Sequence, residues 1–404
     1  MSRLKRRSIS DAVDHGIIRL APAWVPRDFL VPGGRIRLSP HDLYALGVER
    51  GGIDERWLAS TVRADNPGAP EDEGLSYAVI EDEGRIGKVL LSDLIAEFGD
   101  RILGRQVMHR YGGWTVLTKF FDNACPIPLH LHQMEEHAHI VGREPKPEAY
   151  YFPPQLNMVE GKFPYTFFGL APGTSRDDIK RCLERWENGD NGILAYSQAY
   201  RLVPGTGWLV QAGILHAPGT LVTYEVQKAS DVFAMYQSML EGKPVPRRLL
   251  VKDVPPDLQG DLDYLVDMID WDANLDPEFK RHHHLIPRNL SGGQDALDDG
   301  YIERWVIYGS EDFSAKELII YPGRNVKIID EAAYGLIVVQ GHGRIGGFHA
   351  ESPTMIRYGE LTSDEFFVTV EAAKEGVEIS NQSRVENLVI LKHFGPGNPS
   401  APKL

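Results

Sequence analysis

A chain of 404 residues, 42% of them hydrophobic, is long enough for two β domains or one large one, and its composition is not that of a disordered protein. Its 57 acidic residues against 43 Lys and Arg give a formal charge of −14, which argues against a nucleic-acid surface, because neutralising phosphates needs clustered cations. No apolar run approaches the roughly 20 residues of a membrane helix and the start has no signal-peptide pattern, so a cytoplasmic protein without nucleic-acid or membrane partners is expected.

The chain opens on a short basic run, Arg3, Lys5, Arg6 and Arg7, expected to be a solvated, frayed terminus. Forty Gly and 27 Pro then recur between short β-branched or aromatic runs, which is the texture of an all-β protein with many turns. Residues 1–104 are expected to add strands and helices to a first barrel spanning 105–240. Within that barrel Trp114–Phe121, Ala199–Val203, Trp208–Gln211 and Val222–Gln227 read as strands. A helical insertion over 174–188 interrupts them: Ser175 caps it, Ile179, Cys182, Leu183 and Trp186 give its apolar face, and Asn188-Gly189 stops it.

Residues 241–300 change character. Four prolines precede a helical pattern over Leu258–Trp271, followed by His282, His283 and His284, so this stretch reads as a helical connector. From 301 to 404 short strands return at Trp305–Tyr308, Glu317–Tyr321, Gly335–Gln340, Glu365–Val370 and Leu388–His393, predicting a second barrel. The only cysteines, Cys125 and Cys182, are too few for a disulfide framework and suit a reducing compartment.

Chemistry concentrates in the first barrel. His130-Leu131-His132 places two imidazoles two residues apart on an extended strand, so both rings project from one face, as chelation requires. A carboxylate from Glu136 or Glu148 and a further imidazole from His216 would complete a nitrogen–oxygen donor set suited to a divalent ion. His342, His349 and His393 in the second barrel form no such pair, so that barrel is expected to be metal-free and to serve packing, homodimerisation or closure of the first barrel's mouth.

Several ordered motifs resemble those of the type I mannose-6-phosphate isomerases of the cupin superfamily. Gly87–Ile95, Leu117–Asp122 and His130–Gln133 resemble successive family segments, and Lys146 through Tyr151 is similar to the family's Lys-x-Glu-x-x-Tyr carboxylate motif, which favours Glu148 over Glu136. Gln211–Ala217 resembles the family's "PAGTVHA", and Glu225–Asp231 its "EIQQSSD". The resemblance implies a double cupin with one divalent metal on His130, His132, Glu148 and His216, zinc being favoured over manganese, nickel or iron. It also implies aldose–ketose isomerisation of a sugar or sugar phosphate through an enediol, with Glu225 as base, Lys146 at the enediolate charge and Lys119 on a substrate oxygen or phosphate. Departures are visible: His130 stands where the family has Gln, and Val232–Met235 replace a segment that usually holds Arg. An iron-dependent cupin dioxygenase and a non-catalytic sugar-binding cupin remain alternatives for the same donor set.

Overall fold

The computed structural model describes residues 5–159, 162–290 and 299–404; Arg3 and the stretch 291–298 of the expected connector lie outside them. Two facing-sheet halves account for most of the strands. In the first half a seven-stranded sheet runs in the order 284–285, 207–210, 148–151, 223–228, 116–121, 53–58, 23–26. A five-stranded sheet in the order 197–201, 165–170, 216–217, 130–131, 234–235 faces it. The second half has a nine-stranded sheet and a four-stranded one, and the strands of all four sheets pair antiparallel.

The expected pair of barrels is corrected in one respect: among the described residues no sheet closes on itself. Strands as short as His130–Leu131 and His216–Ala217 cannot carry a ladder around a full circuit, so the layers remain open sandwiches. The segment 1–104 also departs from expectation. It sends Ala23–Pro26 and Ile53–Leu58 to the seven-stranded sheet, but Ile17–Ala21, Tyr77–Asp82 and Arg85–Leu90 extend the nine-stranded sheet of the second half. The basic start is ordered into a helix, Arg6–Asp14, with Lys5 paired to Glu83 and Arg6 to Glu97, because Val13 gives the helix a buried anchor.

Side-chain alternation along the seven-stranded sheet decides what faces the cleft. Lys119, Glu225, Tyr150 and Trp208 are in cross-strand register and form one row on the inner face, where Tyr150 and Trp208 meet Phe168 of the opposite sheet. Their chain neighbours Phe120, Tyr224, Tyr151 and Leu209 point the other way, into the core shared with the second half. There Tyr224 meets the His393 Nδ1 at 2.9 Å, and Tyr151 donates to Glu317 at 2.9 Å. The second half therefore packs against the back of the seven-stranded sheet, not across the mouth of the first. A sheet covered on both faces also explains why these strands are buried at nearly every position, polar residues included.

Arg56 clamps the halves together. Its guanidinium, 3% exposed, reaches Asp364 at 2.7 and 2.8 Å and Glu365 at 3.0 Å on the nine-stranded side. Burial and the adjacent Asp364 act against the cation's attraction, and the Glu365 carboxyl is pushed up to about 7. Substituting Arg56→Met strands both carboxylates without a cation, and we expect the urea midpoint to fall by an amount equal to about 3–5 kcal/mol, as for other half-broken buried ion pairs. A midpoint unchanged within error would show that the clamp contributes nothing.

The helical insertion forms at Arg176–Glu184, with Ser175 and Asp178 completing a reciprocal capping box and Ile179, Cys182 and Leu183 buried. It packs on the connector helix Leu262–Asp267, where Lys180 meets Asp263 at 2.6 Å. The expected helix over Leu258–Trp271 is broken into two, Leu262–Asp267 and Trp271–Asn274, because Asp270 caps a new start by accepting from Ala273. No helix among the described residues is long and apolar enough to cross a membrane.

Candidate metal centre

The inner face of the five-stranded sheet places His216 directly opposite His130 in register, with Phe168 and Met235 on either side. His132 follows two residues along and turns to the same side. The three imidazoles bring one ring nitrogen each within 4.8 Å of one another, and all three rings are buried. Glu148, reaching across from the seven-stranded sheet, places one carboxylate oxygen 3.0 Å from the His132 Nε2 and the other 3.0 Å from the His216 Nε2. Glu136 is exposed on the short helix Glu135–Ile140, which removes it as a rival.

The backbone fixes which nitrogen faces inward. The Nδ1 of His130 donates to the Pro128 carbonyl at 2.8 Å, that of His132 to Val232 at 2.7 Å and that of His216 to Ile214 at 2.8 Å. Each ring therefore carries a proton on Nδ1 and turns its Nε2 to the cleft. Burial, reinforced for His132 by Lys146, keeps His132 neutral down to about 4, and burial and the neighbouring rings lower His130 well below its ordinary value. Burial alone would favour the acid form of Glu148, but the Lys146 ammonium 2.9 Å away outweighs it and holds the carboxyl well below the usual range.

These residues fit a metal ion. The His216 Nε2 is buried with no hydrogen-bond partner and lies 3.0 Å from a carboxylate oxygen, where a cation held between the two would satisfy both. Ligand atoms roughly 2.0–2.1 Å from a tetrahedral ion stand roughly 3.3 Å apart, close to that spacing. Three imidazoles and a carboxylate suit zinc, manganese, nickel or iron. The Tyr150 hydroxyl donates to Glu148, the outer support that such a ligand needs.

Beside the donors lies a ring of buried charge. Lys146 Nζ is 2.9 Å from Glu148, 3.1 Å from the His132 Nε2 and 3.5 Å from Glu225. Lys119 lies 3.5 Å from Glu225 and 3.4 Å from Glu55. Burial, offset by Lys119 and Lys146 but reinforced by Glu148 and Glu55, pushes the Glu225 carboxyl up to about 7. Arg27 spans Glu55 at 3.3 Å and Asp231 at 3.5 Å. An apolar rim of Phe29, Leu30, Ile127, Pro218, Phe233 and Met235 completes the cleft, which encloses about 50 Å³, room for a few waters.

All seven residues singled out from sequence, His130, His132, Glu148, His216, Glu225, Lys146 and Lys119, converge on this cleft. Arg27 was missed, as were the cleft positions of Glu55 and Asp231. Arg27 sits in no motif, and only the register of the strands at 23–26 and 53–58 brings it in. The His282–His284 run does not converge: His282 pairs with Asp276, His283 bonds the Leu209 carbonyl, and His284 lies on a strand. Cys125 and Cys182 are buried thiols whose ionisation burial disfavours.

The fold and the donor set define a protein of two β-sandwich halves with a metal-capable centre in the first. Among solved structures, the chain shares this fold with mannose 6-phosphate isomerases. It matches the enzyme from Bacillus subtilis with a TM-score of 0.59 at 15% identity, covering 94% of this chain and 99% of that one. A point mutant of phosphomannose isomerase from Salmonella typhimurium matches at 0.58 and 13%, and a zinc-bound mannose 6-phosphate isomerase at 0.58 and 14%, each covering 94% of this chain and 100% of the other. By sequence, no protein-family model and no curated protein matches.

Proposed function

We propose that the protein is a double-cupin aldose–ketose isomerase acting on a sugar or sugar phosphate, with one divalent ion, zinc first, held by His130, His132, Glu148 and His216. The observation that carries this reading is the placement of a buried carboxylate near neutrality, Glu225, beside a lysine that also touches the donor set. When bound, the ion supplies Lewis-acid stabilisation of negative charge developing on the sugar's carbonyl oxygen. The shared fold with solved mannose 6-phosphate isomerases supports the same reading.

The chain's own residues supply the proton transfer. Glu225 as carboxylate takes the proton from the carbon next to the carbonyl, and the freed electron pair forms the carbon–carbon double bond of the enediolate. Lys146 stands next to Glu225 and Glu148, where its ammonium stabilises the oxyanion. Glu225 then returns the proton to the former carbonyl carbon, the hydroxyl proton on the carbon first deprotonated passes to the former carbonyl oxygen, and the new carbonyl forms on the carbon that lost its hydrogen. Lys119, beside Glu225 in the same row at 3.5 Å, is a positioning residue that holds it.

The base works only when ionised, so kcat/KM rises with pH through the Glu225 titration and then levels. A bound cation can only lower that carboxyl, which places the acid limb at or below about 7. A limb well above neutrality in the measured profile would assign the base elsewhere. The test of the reaction is to incubate metal-loaded protein with mannose, lyxose, fructose and their phosphates in deuterated water. Deuterium entering C1 or C2 alongside aldose–ketose exchange supports the isomerase. Oxygen consumption by iron-loaded protein, without exchange, would move the assignment to a dioxygenase, and binding without turnover to a sugar-binding cupin.

A further inference from the structure

Every cation lining the cleft already has a buried carboxylate partner. Arg27, Lys119 and Lys146 face Glu55, Glu148, Glu225 and Asp231, each cation within 3.5 Å of two of them. Arg27 is 5% exposed and Lys119 and Lys146 likewise, so none is a free surface group waiting for a ligand. The next cation outward, Lys252, lies over the Phe233 ring at 4.6 Å and is itself paired with Asp65 and Asp253, both at 3.1 Å.

The lining thus holds four carboxylates against three cations, an excess of one negative charge. Burial and Arg27 pull in opposite directions on Asp231, and the cation wins, so Asp231 is a firm anion that flanks Arg27 in the cleft lining together with Glu55. A phosphate dianion seated there meets Asp231 and Glu55 before it meets a free cation, and like charges at close quarters discriminate strongly against a ligand. A bound divalent ion does not relieve this, because it must lie at the carbonyl end of the sugar while an ester phosphate sits at the other. The remaining wall is apolar: Phe29, Leu30, Ile127, Phe233 and Met235 offer surface to C–H groups and no donor to phosphate oxygens.

Resting on the isomerase reading, we infer that the substrate is an uncharged sugar, an aldose or ketose without a phosphate ester, whose hydroxyls bond the paired carboxylates and whose C–H face lies on the apolar rim. Carboxylates that neutralise cations keep spare lone pairs, which accept from hydroxyls and repel phosphate.

The experiment compares D-mannose with D-mannose 6-phosphate, and D-fructose with its 6-phosphate, in two readouts on the same metal-loaded protein. The first is deuterium exchange at C1 and C2; the second is binding by calorimetry. We expect exchange into the free sugars to exceed that into the esters by roughly 100-fold at equal concentration. Preferential exchange into the esters overturns the inference and leaves the isomerase reading intact. If nothing exchanges, the isomerase reading fails and calorimetry still decides: binding of mannose over its phosphate supports the uncharged-ligand site, while tighter binding of the ester, or binding of neither, overturns it. Inorganic phosphate at millimolar concentration is expected to leave mannose binding unchanged, and competition by it counts against the inference. In Asp231→Asn, which takes one anion from Arg27, the preference moves toward the ester by roughly tenfold. An unmoved preference in a folded Asp231→Asn protein would show that this charge pairing does not set specificity.

Discussion

Exchange of His216 for alanine is expected to abolish tight metal binding and to lower isomerase activity by at least about 1,000-fold, the scale on which a lost electrostatic stabiliser of a developing oxyanion acts. The argument is geometric. His216 lies in register with His130 on the neighbouring strand and shares Glu148 with His132, so its removal takes away a donor and leaves one carboxylate oxygen without the group it faces. Metal content by atomic absorption and thermal unfolding give independent readings. In the parent protein an ion at about 1,000 times its Kd raises stability by about 4 kcal/mol, and in His216→Ala the same concentration is expected to leave the midpoint where it was. A variant that keeps its metal and turnover would remove His216 from the donor set.

The second large effect concerns Glu225→Gln. Gln keeps the shape, and its carbonyl oxygen can still accept from Lys119 or Lys146, but it cannot take up a proton. A positioned general base contributes about 100- to 10,000-fold, so kcat should drop by that amount while metal content stays at the parent level. The acid limb of the pH profile should vanish with it, since the group that titrates near neutrality is gone. Deuterium incorporation is the most direct measure, because a protein that binds sugar yet exchanges no carbon-bound hydrogen has lost only the base. Retention of parental exchange in Glu225→Gln would move the base to another group in the cleft.

The four side chains that converge at the candidate centre were legible in sequence because their signals are local. A two-residue spacing on a strand puts His130 and His132 on one face, and ordered motifs around Glu148 and His216 point to the remaining two. The strand positions were legible to within a few residues, as at Leu388–Phe394, where the expected run ended one residue early. What stayed hidden depends on pairing between distant segments. Arg27 follows directly on a strand that meets 53–58, itself paired with 116–121, and no property of Pro26-Arg27-Asp28 announces that register. The division of residues 1–104 between two sheets was hidden for a related reason: Ile53–Leu58 is buried at every position and shows no period-two pattern to say which layer it joins. The choice of Glu148 over Glu136 came from the motif around Lys146–Tyr151, and the physical reason for it, an exposed helix against a strand whose carboxylate crosses the cleft, appears only in the fold.

The back-to-back arrangement of the two large sheets matters for anyone who would re-engineer this scaffold. Tyr224 precedes Glu225, and Tyr151 follows Tyr150; both tyrosines are gripped from behind by His393 and Glu317. Because successive residues of a strand cannot move independently, a library that spares the cleft but randomises that rear wall would still retune turnover, and the C-terminal half is no dispensable appendage to a minimal catalyst.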